Sequence, residues 1–439
     1  MKKFMQDNLA IGLMLFALFL GAGNIIFPPE LGQKSGEEIV WALLGFLTTG
    51  VGLPLLAIVA IAKSGGDLLF ITQRINATFG LIFTSLVYLA IGPLFAWPRT
   101  ATVSYEIAVV PYLSESAAQS PWPLIIMTIV FFALTLVAAM NPTKLVDIVG
   151  KILTPALLIV IVLLTVKAFI SPMGSLNESS GDYVTNPFTK GFIEGYYTMD
   201  MLAGLVFGLV IIQALKDRGV HDEKKIVAST IYAGIIAAAG LAFVYISLGY
   251  IGATSTDSIG FIEGTGTGSA IIAASAQALY GEFGQAILSV IILLACLTTS
   301  IGLATANAQF FNKVYPKISY KTYLIVFSLF SGVIANFGLS NLLAITLPAL
   351  MILYPLAMVI IFLSLTHNLY GGKPLVYAFS LFFTLLVSIN DGLVAANINV
   401  EAYQNILGYL PLQGQGMGWL IPAIVGAIIG YIVSKVTNK

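Results

Sequence analysis

The chain has 439 residues, is 58% hydrophobic and only 9% charged, and its 20 basic and 20 acidic residues cancel. Its mean hydropathy of +0.95 excludes a water-soluble globular protein, and zero net charge gives no support for nucleic-acid binding. A polytopic, all-α membrane protein remains, because a spanning helix needs ~20 mostly apolar residues and this chain has many such runs.

In chain order, twelve transmembrane helices are predicted at 8–33, 38–63, 76–112, 121–139, 142–170, 187–216, 224–252, 284–312, 319–337, 340–367, 373–390 and 417–435. The first is too long for a cleaved signal peptide, and no A-x-A-like site follows it. Its middle is interrupted by Gly21-Ala22-Gly23-Asn24. A helix in lipid must satisfy its own backbone. Such an interruption therefore points either to close helix–helix packing or to a transporter site built on half-helices. The third helix carries Arg99 directly after Trp97-Pro98, where Pro98 is expected to introduce a kink.

The sixth helix has Thr198-Met199-Asp200 near its centre. An acid at mid-membrane costs at least ~2.5–3.5 kcal/mol, so Asp200 is expected in or beside a site, with a structural pair to Arg99 as the alternative. Gly204 and Gly208 read as packing positions. The eighth helix contains the sole cysteine, Cys296, which rules out an internal disulfide, and the hydroxyl cluster Thr298-Thr299-Ser300. Such hydroxyls bond back to their own helix or, beside a cation-binding break, serve as ligands. The stretch 253–283 is Gly-rich and then helical, a candidate lid; His221 and His367 fall in loops and read as solvated. Gly426 and Gly430 suit either dimerisation or packing within the chain.

The two interrupted helices are the first and the sixth. Two inverted repeats of five helices, 1–170 and 187–367, would bring these segments together at the bilayer midplane, with 368–439 supplying two appended helices. Alternation with the N-terminus inside places 16 of the 20 Lys and Arg residues on the cytoplasmic side, including Lys2, Lys63, Lys144, Lys151, Lys224, Lys313 and Lys435. Both termini are then cytoplasmic.

At the first break, the amides of Ala22 and Gly23 open the second half-helix and suit a carboxylate. The carbonyls of Ala17 and Leu20 end the first and suit a small hard cation. Phe19, Tyr196, Tyr197 and Phe207 make the surroundings apolar, which favours a zwitterion with an apolar side chain. Neither the nucleophile–base constellation of an enzyme nor a phosphate loop for a nucleotide is found. A channel would need rings of ligands around an open path. Secondary transport is preferred over both.

The runs LGAGNIIFPPELGQKSG, WALLGFLTTGVGLPLLAIVA, GPLFAWPRTATVSYE (92–106), GYYTMDMLAGLVFG (195–208) and CLTTSIGL (296–303) resemble the bacterial branched-chain amino acid:cation symporters. The resemblance covers nearly the whole chain in order. That family belongs to the amino acid–polyamine–cation superfamily, so the resemblance implies a leucine-transporter-like five-plus-five fold in the bacterial cell membrane. It also implies uptake of leucine, isoleucine and valine driven by Na⁺ or H⁺, with no other cofactor and no obligate protein partner.

By the same resemblance, Gly21, Ala22, Gly23 and Asn24 form the unwound substrate-binding segment, with Tyr197 as an aromatic gate. Thr298, Thr299 and Ser300, with the carbonyls of Ala17 and Leu20, resemble one cation site; Asn24 and Thr198 resemble parts of a second, beside the substrate. That second site departs from its relatives, because the helix at 224–252 contains no Asn. Asp200 is expected to compensate as a ligand or to carry a proton. Arg99 has three possible partners: Asp200, an external acid across a gate, or a helix end, with the gate preferred.

Overall fold

A computed structural model of the protein describes residues 2–140, 154–264 and 266–437. Among them there are helices and no strands. α1 (Lys2–Phe19) and α2 (Ala22–Ser35) lead through a 3-10 turn to α3 (Ile39–Leu47), a π-helical turn at Thr48–Gly52 and α4 (Leu53–Ser64). Then come α5 (Ala77–Leu89), α6 (Ala96–Ala108), α7 (Trp122–Ala139), α8 (Thr154–Ile170) and α9 (Pro187–Glu194). α10 (Asp200–Asp217), α11 (Glu223–Ala253), α12 (Gly268–Val314) and α13 (Tyr320–Ala335) follow. α14 (Leu339–Leu365), α15 (Pro374–Ala395) and α16 (Leu420–Thr437) complete the chain.

Eight helical stretches among the described residues are long and apolar enough to cross a membrane, or nine if 187–198 and 200–217 form one span. Three shorter apolar helices, Asn8–Phe19, Leu158–Ile170 and Tyr320–Ala335, fall in the remaining predicted segments. The first part of the predicted 142–170 helix, with Lys144 and Lys151, lies outside the described residues. Ile126, Ile129 and Val137 on α7 are 59%, 65% and 67% exposed, as expected of side chains that face lipid. The predicted helix at 284–312 is the second part of α12. Its first part, 268–280, is also helical, and the two join at Gly281, whose φ of 64° a side chain would rarely allow.

The chain divides into two compact units, each drawn from several stretches: 1–51, 88–199 and 231–343 in the first, and 52–87, 200–230 and 344–439 in the second. Within the first unit, helices meet backbone to backbone. A Cβ on Gly268 would lie 1.6 Å from the Ile26 carbonyl oxygen, one on Gly252 2.1 Å from that of Pro29, and one on Gly191 2.0 Å from that of Ala42. Small residues permit this approach where apolar burial gives little drive, because lipid is as apolar as the helices.

Two loops also clasp the end of α2. Gln33 donates to Ser255 Oγ and to the Gly260 carbonyl, both at 3.0 Å, and accepts from the Ile262 amide at 3.0 Å. Its own carbonyl accepts from Asn177 Nδ2, and the Ser180 amide bonds the Lys34 carbonyl. The stretch read as a lid is thus tied down through Gln33. α6 begins after an irregular turn at Gly92-Pro93, where the Asn307 amide packs against Gly92. Pro98 therefore sits in the first turn of α6, where proline is tolerated. The kink expected at Pro98 lies upstream.

In the second unit, Gly204 and Gly208 of α10 pack on Pro54, Ala57 and Ile61 of α4, which fits their reading as packing positions. Gly426 and Gly430 lie against backbone at Phe379 and Leu375, so this pair is used within the chain. His367, expected to be solvated, is half-buried, with Nδ1 3.2 Å from Arg74 Nη1 and 3.1 Å from the Tyr377 hydroxyl. Burial, and then the Arg74 charge, lower its pKa below the usual 6.5.

Two outcomes follow from this packing. Gly268→Ala should lower stability by ~1–3 kcal/mol through overpacking, whereas Gly414→Ala, which meets nothing within 4 Å, should leave it unchanged. Thermal unfolding in detergent reads both. Because burial and the Arg74 charge lower the folded-state pKa of His367 below the 6.5 of the unfolded chain, its contribution is complete above that pH. It is lost as pH falls from there through the lowered folded-state value. His367→Gln should flatten the melting temperature over that range; an unchanged slope would refute the assignment.

Candidate functional site

The first break is held open by one side chain. In a continuous helix the Gly21 amide would bond to the Ala17 carbonyl. Here it donates to Asn24 Oδ1 at 2.9 Å, while Gly21 is extended at φ −115° and ψ −162°. The Ala17 carbonyl thereby loses its usual donor. The Asn24 amide nitrogen donates in turn to the Tyr245 hydroxyl, and that ring packs edge-on against Phe46 at 5.0 Å. Ala22 and Gly23 begin α2, so their amides point out of its positive end without partners one turn earlier.

Of the hydroxyl cluster on α12, Thr299 reaches this break. Its Oγ1 donates to the Leu20 carbonyl at 3.3 Å, and its side chain lies against Gly21. Thr298 Oγ1 bonds back to the Ala295 carbonyl at 2.8 Å, one turn from Thr299. Ser300 faces elsewhere: it accepts from Trp97 Nε1 at 2.7 Å and shares a 2.9 Å hydrogen bond with Thr135. All three of those side chains are fully buried. The structure thus brings Thr299 to Leu20 and Gly21, keeps Thr298 beside it in the chain, and turns Ser300 into a tie between α6, α7 and α12.

At the second break, a 3-10 turn over Gly195–Thr198 ends at Met199, whose φ of 64° is unusual for a residue with a side chain. Thr198 Oγ1 donates to the Gly195 carbonyl at 2.9 Å. The next residue, Asp200, opens α10 and is 2% exposed; an acid in a first turn complements the positive helix end. Arg99, 3% exposed on α6, donates from Nη1 to the Tyr197 carbonyl at 2.6 Å and from Nη2 to that of Thr198 at 3.1 Å. Of its three possible partners, the helix end is the one these bonds supply. Its guanidinium also lies 5.4 Å from the Phe27 ring centre, and Phe27 packs 5.6 Å from Tyr197.

The breaks meet at Gly23. A Cβ there would be 2.5 Å from Arg99 Nη2 and 3.2 Å from Thr198 Cα. Gly21, Ala22, Gly23, Asn24, Tyr197, Thr198, Arg99 and Thr299 thus cluster around the two half-helix ends. The sequence reading omitted Tyr245, Phe27 and Thr135 and gave Trp97 no role. A buried indole N–H requires a partner, which is the one signal that could have flagged Trp97. No cluster of three His, Cys, Asp or Glu side chains suited to a metal occurs among the described residues.

A family model described as "Branched-chain amino acid transport protein" matches residues 4–437. The chain belongs to this family. It is 48% identical to the branched-chain amino acid permease BraB of Bacillus subtilis, over 98% of this chain and 96% of the relative. It is 45% identical to the branched-chain amino acid transport system 2 carrier protein of Pseudomonas aeruginosa, over 99% and 97%. The permease BrnQ of Escherichia coli K12 is 39% identical over 99% and 97%. These relatives are named as permeases and carriers, so this family member is a transporter and not an enzyme.

Among solved structures, MhsT in complex with L-phenylalanine resembles the fold with a TM-score of 0.62 at 15% identity, covering 98% of each chain. Mhp1, a nucleobase-cation-symport-1 family transporter in a closed conformation with bromovinylhydantoin bound, gives 0.60 at 16%, covering 94% and 96%. At such identity the likeness is one of fold. Within it, the hydroxyls of Thr299 and Ser300 divide into two tasks. Ser300→Ala should strand the Trp97 N–H and lower stability by ~1–3 kcal/mol, more than Thr299→Ala, which removes a single 3.3 Å bond to the Leu20 carbonyl. An equal drop in melting temperature in the two variants would refute the division.

Proposed function

We propose that this protein is a symporter that imports leucine, isoleucine and valine together with a cation, by alternating access to a site at the two helix breaks. The observation that carries this reading is the break at Leu20–Gly21. There, carbonyl oxygens of one half-helix and amides of the next lie side by side in the interior, with the Thr299 hydroxyl on the Leu20 carbonyl. Carbonyl and hydroxyl oxygens suit a hard cation such as Na⁺, which Ala17, Leu20, Thr299 and the adjacent Thr298 would surround. The amides of Ala22 and Gly23 suit the amino acid's carboxylate. Rings at the breaks, Phe27 and Tyr197, favour an apolar side chain.

Twelve spans in a five-plus-five inverted repeat, with both termini cytoplasmic, belong to the same proposal. Support comes from breaks in the first and sixth predicted segments and from the bias of Lys and Arg between alternate loops. Helices 1, 2, 6 and 7 then rock against helices 3, 4, 8 and 9. Cation binding orders the first break before the amino acid docks.

Purified protein in liposomes tests the reading. Leucine should accumulate under an inward Na⁺ gradient, and isoleucine and valine should compete. Thr299→Ala should raise the Na⁺ half-saturation at least about tenfold, the loss expected for one to two ligand contacts. Unchanged cation dependence would remove Thr299 from the site. Accumulation driven only by H⁺ would shift coupling toward a titrating group such as Asp200.

A further inference from the structure

We infer that the Arg99 guanidinium is the fixed cation of the substrate site, standing where a second mobile cation would otherwise bind and holding the amino acid's carboxylate with the Ala22 and Gly23 amides. This rests on the transport reading above and adds to it a residue that determines specificity.

Position carries the argument first. Arg99 Nη2 lies so close to Gly23 that a Cβ there would be 2.5 Å away, which places the guanidinium beside the amide end of α2. A carboxylate on those amides would have the charge as its neighbour. In a site shielded from water that attraction is several times stronger than in bulk. Phe27, whose ring centre is 5.4 Å away, covers the guanidinium.

The surroundings of a mobile cation are also accounted for. The carbonyls of Tyr197 and Thr198, at the negative end of the half-helix, are held by Nη1 and Nη2. The Asn24 side-chain oxygen accepts from the Gly21 amide, and the Thr198 hydroxyl is turned to the Gly195 carbonyl. α11 presents the Tyr245 hydroxyl, which accepts from Asn24, in a helix that contains no Asn. A tethered charge thus serves the oxygens that would otherwise hold an ion. One mobile cation, at Thr299, is then sufficient for each amino acid.

The test measures displacement of bound radiolabelled leucine from the purified protein by leucine and by L-leucinol, which keeps the side chain and amine but lacks the carboxylate. The unaltered protein should prefer leucine strongly. Arg99→Gln should cut that preference about tenfold to a hundredfold, the size of one charge-assisted hydrogen bond, and Arg99→Lys should retain part of it. Equal weakening of both compounds in Arg99→Gln would make Arg99 a helix cap only and overturn the inference. A second measurement needs no variant: cation activation of leucine uptake should be non-cooperative with one cation per leucine, and two per leucine would overturn the inference alone. Failure of the unaltered protein to bind leucine would overturn the transport reading, and this inference with it.

Discussion

The hydrogen bond from the Gly21 amide to the Asn24 side chain is a local substitution with wide effect. It supplies from three residues ahead the acceptor that Ala17 would supply from four residues behind. An unpaired buried amide would cost ~1–3 kcal/mol, so the break persists only while Asn24 stays in place. Asn24 is kept there by Tyr245, and Tyr245 by Phe46. The opening in the first helix is thus determined by side chains on α3 and α11 as well as by its own glycines. Everything at the site, from the Leu20 carbonyl under Thr299 to the free helix start at Ala22, depends on that chain of contacts.

The second break is stabilised differently. Met199 adopts a left-handed conformation at a cost of ~1–3 kcal/mol. Two charge-assisted bonds from Arg99 to the carbonyls just before it offset that cost. In both cases a neighbouring helix completes the backbone that the broken one leaves open, which is the condition under which lipid-embedded chains tolerate irregular structure. The bonds involved, Arg99 to Tyr197 and Thr198 and Thr299 to Leu20, join the third predicted helix to the sixth and the eighth to the first.

Much of this was legible in the sequence. Two glycines and an Asn inside a spanning run announced the first break, and Asp200 at mid-membrane announced the second. Local chemistry marked where both lie, although neighbouring helices complete them. Which hydroxyl of Thr298-Thr299-Ser300 faces the break was not legible, since it depends on how Trp97 and Thr135 rotate α12 against α6 and α7. Arg99 offered three partners in sequence, and only packing against Gly23 and Phe27 selects the helix end. The helix at 268–280 merges with the next one because Gly281 accepts a positive φ, which composition alone does not reveal. His367 lies in a loop and yet is held by Arg74 and Tyr377, far apart from Arg74 in sequence and therefore invisible to a linear reading.

Gln33 gives the C-terminal end of α2 an unusual mechanical character. Its buried amide bonds residues 255–262 at three atoms, while the adjoining backbone bonds 177–180. Any tilt of α2 must drag both loops along or break several hydrogen bonds at once. The helix end and its two loops therefore form one stiff lever whose inner tip is the Gly21–Asn24 segment. Over the 14 residues of α2, about 20 Å at helical rise, a rotation of a few degrees at the loops becomes a displacement of about 1 Å at the site. A polar clasp far from the chemistry thus sets the gain with which movement at one end is felt at the other.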